Sequence, residues 1–296
     1  MTEPLLKVNQ LSKTFSISNK RQKGTIQAVH DVSFSLFKGE TLGIVGESGS
    51  GKSTIAKMIL QLIEPTSGSI YFKGKEISAL SKREQKQMKA NVQAVFQDPY
   101  ASLNPRMRAK EIVTEPLTIH QGLSTNDRTE RALGLLEEVG LGSQHLNRYP
   151  HEFSGGQRQR LSIARAIALK PNIIVCDEAV SALDVSTQAQ IVNLLKELQK
   201  NHGLSYLFIA HGLPVVNHIS DRVAIMKNGE LIEIGQTEQI FHEPTEAYTK
   251  LLLQAVPASH PRDRHKTIPS EVNKKMKKSV SFKYIIFYSC FVCMWF

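Results

Sequence analysis

The chain reads Gly46-Glu47-Ser48-Gly49-Ser50-Gly51-Lys52-Ser53-Thr54 between a short apolar run, residues 42–45, and a helical pattern, residues 54–63. Glycines at this spacing let successive backbone N–H groups turn inward, and the following helix adds its positive N-terminal end. In this motif the lysine supplies a charge to the β- and γ-phosphates, and the serine hydroxyl reaches Mg²⁺. The stretch therefore predicts a phosphate-binding loop between a buried strand and a helix.

Two carboxylates follow a second apolar run further along the chain. Residues 173–176 are all apolar, as in a strand buried inside a parallel sheet, and Asp177 and Glu178 come directly after them. Ligands of such sheets bind at the carboxyl ends of the strands. Asp177 is expected to hold Mg²⁺ through water, and Glu178 to orient or deprotonate an attacking water molecule.

A third segment, Phe153-Ser154-Gly155-Gly156-Gln157, lies between the other two. Ser154 is a good helix N-cap, and the glycines allow close approach of an anion to the helix end. With these three segments in this order, residues 5–256 resemble the ATP-binding subunit of an ATP-binding cassette (ABC) transporter. Phe153 stands where that family usually has Leu. The resemblance implies that Ser154, Gly155, Gly156 and Gln157 contact the ATP held by the phosphate loop of a second subunit.

Four further positions match the family pattern. The resemblance implies that Gln97 meets Mg²⁺ and the attacking water, that Asp184 signals across the dimer interface, and that His211 contacts the γ-phosphate. Phe15 takes the place of the aromatic residue that stacks on adenine, and burial in the core is its alternative. The chain departs from the pattern at Gly212, which follows His211 where relatives usually have Asp. Because Gly is a weaker cap for the next helix, we expect a looser histidine loop.

Three stretches indicate a subfamily: residues 96–106, 184–191 and 241–252 resemble ATPases of oligopeptide, dipeptide and nickel-chelate importers. The chain resembles the second, shorter ATPase of such a system. This implies a heterodimer with another ABC ATPase subunit, which lies beneath two membrane-spanning permease subunits. An extracytoplasmic solute-binding protein delivers the solute to those permease subunits. Peptide import is the favoured function. Import of nickel or another metal chelate, or a role as a nucleotide-binding partner with little hydrolysis, remains the alternative.

The predicted fold is an α/β P-loop NTPase of the ABC type, with a RecA-like parallel-sheet core, an antiparallel β subdomain and an α-helical signature subdomain. Alternating strands and helices in the second half indicate the parallel sheet. The ABC ATPase domain is predicted at 1–257, with its core at 1–97 and 165–257 and the helical subdomain at 98–164. Residues 5–45 are predicted to be strands of an antiparallel layer. Helices are predicted at 129–139 and 187–200, and apolar strands at 173–176 and 206–209.

The net charge of +10 is unevenly distributed. Eight basic and two acidic residues follow residue 256, so this end carries +6 of the total. That distribution argues against a nucleic-acid-binding face on the folded domain. The basic and then aromatic segment 258–296 is expected to lie outside the domain, and contact with an anionic membrane surface is the alternative.

Two further features bear on location. No run of 18 apolar residues is present to span a bilayer, and the three cysteines suggest no disulfide framework. With the resemblance, these features imply a soluble body that is peripheral at the cytoplasmic face of the cell membrane.

Overall fold

A computed structural model of the protein describes residues 3–19, 22–122 and 124–255. One sheet is antiparallel and has the strand order β2-β1-β4-β5. Along β1 the side chains alternate, so that Leu6 and Val8 are buried while Lys7 is exposed. The four strands are β1 (Leu6–Asn19), β2 (Gln22–Leu36), β4 (Ser67–Phe72) and β5 (Lys75–Glu76).

The second sheet has six strands in the order β10-β9-β3-β8-β7-β6. All neighbours are parallel except β9 and β10. Its central strands are buried on both faces, which explains why they read as continuous apolar runs. The strands are β3 (Thr41–Gly46), β6 (Val92–Phe96), β7 (Ile173–Asp177), β8 (Ser205–Ala210), β9 (Arg222–Lys227) and β10 (Glu230–Gln236).

The strand predictions for 173–176 and 206–209 agree with β7 and β8 of this sheet. The prediction that residues 5–45 all belong to an antiparallel layer is wrong at its end. Strand β3 pairs in parallel with β8 and β9. Its side chains are apolar on both faces, so they need cover on both sides.

Ten α-helices occur in the described part of the chain. They are α1 (Lys52–Ile59), α2 (Lys82–Asn91), α3 (Pro99–Ser102), α4 (Ala109–Gln121), α5 (Thr125–Glu138), α6 (Gly155–Ile167), α7 (Val185–His202), α8 (Leu213–Ile219), α9 (Thr237–His242) and α10 (Ala247–Gln254).

Three predicted helix boundaries are corrected by the structure. The helix predicted at 54–63 is α1, which begins at Lys52 and ends at Ile59 because Gln61 turns to a positive φ of 56°. The helix predicted at 129–139 is α5 and begins earlier, where Ser124 caps it. The helix predicted at 187–200 is α7, whose ends are set by an Asp184 cap and by Gly203 in the left-handed region.

Helices α3 to α6 occupy the segment predicted as the helical subdomain. The last of them, α6, continues past residue 164 to Ile167 and packs against β6, so it joins that subdomain to the parallel sheet. The predicted boundary between residues 257 and 258, and the whole segment 258–296, lie outside the described residues. In the part of the chain that is described, no helix is long and apolar enough to cross a membrane.

Helix α1 packs in the core between the two sheets. Its buried side chains Ile55, Met58 and Ile59 belong to one cluster with Leu42 of β3 and Leu6 of β1. Each such side chain contributes about 1.5–3 kcal/mol when it is removed from water. This packing fixes the N-terminus of α1 directly after the end of β3, where the phosphate loop lies.

Candidate active site

The phosphate loop connects β3 to α1, and two of its positions, Gly46 and Gly51, have no room for any side chain. A Cβ atom at Gly46 would lie 2.1 Å from the carbonyl oxygen of Met226, and one at Gly51 would lie 2.3 Å from that of Ala28. Gly51 also has a φ of +97°, in the left-handed region. The loop is therefore held tightly against β9 on one side and β2 on the other.

Lys52 lies inside the curve of this loop and is only 3% exposed. Its ammonium group donates hydrogen bonds of 2.8 Å to the carbonyl oxygens of Gly46 and Glu47, and one of 3.3 Å to Ser50. Burial lowers the pKa of Lys52, and the negative charges of Glu178, Asp177 and Glu47 oppose that shift. The loop thus presents a buried cation at the start of α1.

The other predicted loop residues differ in their exposure. Ser50 is buried, and its carbonyl accepts a 3.1 Å hydrogen bond from the Gly229 N–H. Thr54 is half-buried in the first turn of α1. The exposed members are Glu47, Ser48 and Gly49.

Ser53 and Asp177 come together across 124 residues of sequence. The Ser53 hydroxyl donates a 2.9 Å hydrogen bond to Asp177 at the end of β7. Burial raises the pKa of Asp177, and the bond from Ser53 opposes this shift. A hydroxyl and a carboxylate therefore lie beside the buried Lys52 ammonium.

Glu178 has an unusual backbone conformation for its residue type. Its φ is +53°, which is uncommon outside glycine, and its N–H donates a 2.9 Å hydrogen bond to the Ile209 carbonyl of β8. The Glu178 side chain is 11% exposed, and its Oε1 lies 2.5 Å from Nε2 of His211. The sequence suggested both residues separately, but their direct contact is visible only in the structure. Such strained positions cluster at functional sites.

Gln97 and Phe15 lie at the edges of this arrangement. Gln97 follows β6, whose last residue, Phe96, is paired with Asp177 in the parallel sheet. Its side chain is exposed and makes no hydrogen bond within the described chain. Phe15 on β1 is 40% exposed, so it is not a core residue, and the Lys13 ammonium lies 5.2 Å from its ring centre.

The signature turn, residues 154–157, forms a capping box at the start of α6. The Gln157 N–H donates a 3.3 Å hydrogen bond to the Ser154 hydroxyl, and the Ser154 N–H donates a 3.0 Å bond to the Gln157 side chain. A Cβ atom at Gly156 would lie 2.6 Å from the methyl carbon of Thr187 in α7. Ser154 and Gly155 are exposed, so this helix end faces away from its own domain.

Asp184 caps α7 beside that turn. Its carboxylate accepts hydrogen bonds of 2.9 Å from the Thr187 N–H and 2.7 Å from the Thr187 hydroxyl. Across residues 3–19, 22–122 and 124–255, no hydrogen bond joins the signature turn or Asp184 to the phosphate loop. The chain therefore brings together Lys52, Ser53, Asp177, Glu178 and His211 and leaves Ser154 to Gln157 on a separate surface.

Sequence reasoning missed the residues that enclose the loop from behind. Ala28 and Met226 contact the loop through their backbone carbonyl groups. Every residue type has such a group, so the sequence does not reveal these contacts. Gly229 has a φ of +88° and lies in a tight turn after β9, close to the backbone of Ala28. A glycine at this position was the sequence feature that could have indicated this close backbone contact.

Comparison with known families gives two matches. A profile described as "ABC transporter" matches residues 29–181, more than half of the chain. The chain belongs to the ABC transporter family. A second profile, described as "Oligopeptide/dipeptide transporter, C-terminal region", matches residues 232–283 and so extends into the segment predicted to lie outside the domain.

Individual relatives agree with this family assignment. An oligopeptide transport ATP-binding protein of Bacillus subtilis is 48% identical over 290 residues, which cover 96% of this chain and 94% of the relative. A dipeptide transport ATP-binding protein of Lactococcus lactis is 48% identical over 274 residues, covering 91% of this chain and 87% of the relative. The predicted subfamily is thereby confirmed.

The solved structures include a dimeric ATP-binding cassette in a post-hydrolysis state, bound to ADP and phosphate. It is 32% identical to this ABC ATPase, with a TM-score of 0.70, and the alignment covers 78% of this chain and 98% of the other. The predicted ABC cassette fold is confirmed by this likeness. ATP binding follows for this chain from its family and from the phosphate loop described above.

Proposed function

We propose that this chain is the ATP-hydrolysing subunit of a membrane importer for oligopeptides or dipeptides. The match of residues 232–283 to the oligopeptide/dipeptide profile and the names of the relatives support the substrate class. The observation that carries the enzymatic part is the convergence of Lys52, Ser53, Asp177, Glu178 and His211 at one end of the parallel sheet.

The phosphate loop binds the triphosphate of ATP. Loop N–H groups and the α1 N-terminus face the phosphate oxygens, and Lys52 exchanges its loop carbonyl partners for the β- and γ-phosphates. Phe15 is exposed on β1 and offers a ring face to adenine. The tight enclosure by Ala28 and Met226 supports this role, because it fixes the loop before nucleotide arrives.

The residues beside Lys52 fit a magnesium ion. Hydroxyl and carboxylate oxygens are the ligands that Mg²⁺ prefers, and Ser53 and Asp177 already lie within 2.9 Å of each other. Ser53, Asp177 and Gln97 would hold the ion, with Asp177 acting through water. Bound there, the ion would neutralise charge on the β- and γ-phosphate oxygens.

Glu178 then directs the water that attacks the γ-phosphorus. A bond forms between the water oxygen and phosphorus, the bond from phosphorus to the β–γ bridging oxygen breaks, and the water proton passes to the Glu178 carboxylate. ADP and inorganic phosphate are the products. His211, which contacts Glu178 in this structure, instead donates to a γ-phosphate oxygen when ATP is bound.

A second ABC ATPase subunit completes each site. The exposed N-terminus of α6 at Ser154 suits the γ-phosphate held by that other subunit, since its N–H groups and helix dipole favour an anion. Asp184, which caps α7 beside this turn, signals between the two sites in this proposal. We infer a heterodimer, because the subfamily typically pairs two different ATPases.

The permease subunits dock on a groove between the helical subdomain and the sheet. Its volume is 260 Å³, and its lining includes Phe96, Pro116, Ile119 and Arg165. Ile119 is 61% exposed, and Phe96 directly precedes Gln97, so the groove links an apolar surface to the catalytic edge. Docking here makes the chain peripheral at the cytoplasmic face of the membrane, with the solute-binding protein on the other side.

The test is ATP hydrolysis by the complete importer, co-expressed with its permease and partner ATPase subunits. Peptides or nickel chelates are delivered on the binding protein. Peptide-stimulated hydrolysis that falls about 10²-fold or more in Glu178→Gln would support the proposal, since that is a typical general-base contribution. Glu197→Gln is the control, because this exposed carboxylate of α7 lies outside the site. Stimulation by nickel chelates alone would overturn the substrate class, and hydrolysis indifferent to Glu178 would overturn the enzymatic role.

A further inference from the structure

Lys13 on β1 contacts the aromatic ring that follows it two residues later. Its ammonium lies 5.2 Å from the centre of the Phe15 ring, a cation–π contact. The same ammonium donates a 2.6 Å hydrogen bond to the carbonyl oxygen of Glu64. Residues two apart on a strand share a face, so Lys13 and Phe15 lie on one side of β1. One cation therefore joins this ring to the segment that follows α1.

Two further hydrogen bonds fasten the same stretch of β1 to that segment. The Thr66 N–H donates a 2.8 Å bond to the Ser12 carbonyl, and the Thr14 N–H donates a 3.0 Å bond to the Thr66 hydroxyl. Lys13 lies between these two attachments and is half-buried. Its bond to Glu64 therefore ends on a backbone that is already held against β1.

A β-bulge lies opposite this stretch, in β2. Lys13 pairs with Val29, and the next residue, Thr14, pairs with Gln27. Ala28, which stands between these two residues of β2, has no partner in β1. Bulges of this kind redirect side chains and are common beside active sites. The Ala28 carbonyl oxygen also lies against the phosphate loop. The pair of strands that encloses the loop therefore also carries the exposed aromatic ring.

The Phe15 ring has little cover from its own pair of strands. Phe15 is 40% exposed, and Ile26, its partner on β2, is 53% exposed. An exposed aromatic side chain can move between staggered rotamers. The Lys13 ammonium favours a rotamer in which it lies over one face of the ring, and the opposite face remains for stacking. The contact thus orients the ring before a base arrives.

We propose that Lys13 is a positioning residue for nucleotide binding: its ammonium holds one face of the Phe15 ring so that the adenine of ATP stacks on the other. This inference rests on the proposed function, since it takes Phe15 to be the residue that stacks on the base. Because Lys13 acts through the ring, its effect on affinity depends on the base of the nucleotide and not on the phosphates.

The test compares ligand affinities by calorimetry for the full chain and its Lys13→Met variant. Methionine keeps an unbranched apolar side chain and removes the ammonium. ATP binding should weaken roughly two- to fivefold, the range for an exposed cation–π contact. Inorganic tripolyphosphate has no base, so its affinity should be unchanged. Lys7→Met is the matched control and should leave both affinities alone, because Lys7 is an exposed lysine on the same strand.

A double-mutant cycle with Phe15→Ala separates an effect through the ring from a direct contact with the nucleotide. If Lys13 acts through the ring, Lys13→Met should weaken ATP binding little further once Phe15 is replaced. Wild-type ATP affinity in Lys13→Met, an equal loss of tripolyphosphate binding, or fully additive losses in the double variant would overturn the inference. Wild-type ATP affinity in Phe15→Ala would instead overturn the adenine role that the proposed function gives to Phe15.

Discussion

The phosphate loop and the signature turn are both glycine-rich segments at helix N-termini, yet the chain surrounds them differently. The phosphate loop is enclosed by β2 and β9, and Lys52 within it is almost fully buried. The side chains of the signature turn bond each other in a capping box, Ser154 is exposed, and no hydrogen bond in the described chain joins this turn to the phosphate loop. One helix end is therefore enclosed within this chain, while the other stays open at the surface, which agrees with the proposed contact to a second subunit.

The largest effect is expected from a substitution in the phosphate loop, the helix end that is enclosed within this chain. Gly51→Ala forces a Cβ atom to within 2.3 Å of the Ala28 carbonyl at a φ of +97°. A strain of about 1–3 kcal/mol at such a position corresponds to roughly 5- to 150-fold weaker ATP binding if the loop must distort. Calorimetric titration with ATP measures this loss.

Gly134→Ala is the control for that substitution. Gly134 lies within α5, and a Cβ atom there has nothing within 4 Å. Alanine should stabilise the helix by about 0.5–1 kcal/mol and leave ATP affinity alone. Wild-type affinity in Gly51→Ala would mean that the enclosure of the loop does not matter for binding.

The second prediction concerns the exposed signature turn and uses two different substitutions of Ser154. Ser154→Ala removes the N-cap and should lower the free energy of unfolding by about 1 kcal/mol. Ser154→Asp retains a good cap but adds a negative charge where we propose that the other subunit's γ-phosphate binds. Hydrolysis by the importer should therefore fall about tenfold or more in Ser154→Asp without loss of stability.

Chemical denaturation and ATPase assays measure the two effects separately. ATP binding by the isolated chain should be unchanged in both Ser154 variants, because the turn has no hydrogen bond to the phosphate loop in the described chain. If the isolated Ser154→Asp chain binds ATP less tightly than the wild type, the signature turn affects the phosphate loop of its own chain, contrary to this description.

A third prediction sharpens the description of the signature turn. Gly156→Ala brings a Cβ atom to 2.6 Å from the Thr187 methyl carbon, so it should cost about 1–3 kcal/mol of stability as an overpacked contact. Adding Thr187→Ser removes that methyl group and keeps a hydroxyl for Asp184. The double variant should recover much of the loss in urea unfolding. Failure of Thr187→Ser to restore stability would show that the turn is not packed against α7 as described.

The smallest effect is expected at the histidine loop. Gly212 occupies the N-cap of α8 and provides no side-chain hydrogen bond, as the sequence suggests. Gly212→Asp should stabilise the protein by a few tenths of a kcal/mol, and Gly212→Ala should not. Differential scanning calorimetry compares the two variants. A turnover equal to that of the wild type would show that a better cap leaves His211 undisturbed.

Much of this fold follows from local patterns. The apolar runs at β7 and β8 predict buried parallel strands, and the phosphate loop predicts the strand before it and the helix after it. Helix ends were predicted less well. The end of α1 depends on the left-handed conformation of Gln61. Glutamine rarely adopts this conformation, so the sequence does not predict it there. Strand β3 was placed in the wrong layer because its neighbours β8 and β9 come more than 150 residues later in the chain.

The sequence by itself determined which chemical groups are available: the glycine-rich loop with Lys52 and Ser53, the carboxylates Asp177 and Glu178, and a serine that caps a helix. Spacing along the chain and residue type are enough for that, because phosphate loops and helix caps are local structures. Tertiary structure alone decided which groups meet. The contacts of Ser53 with Asp177, of Glu178 with His211, and of Lys13 with the Glu64 carbonyl join residues from separate parts of the fold. Their distances depend on how the sheet orders its strands, which no local pattern encodes.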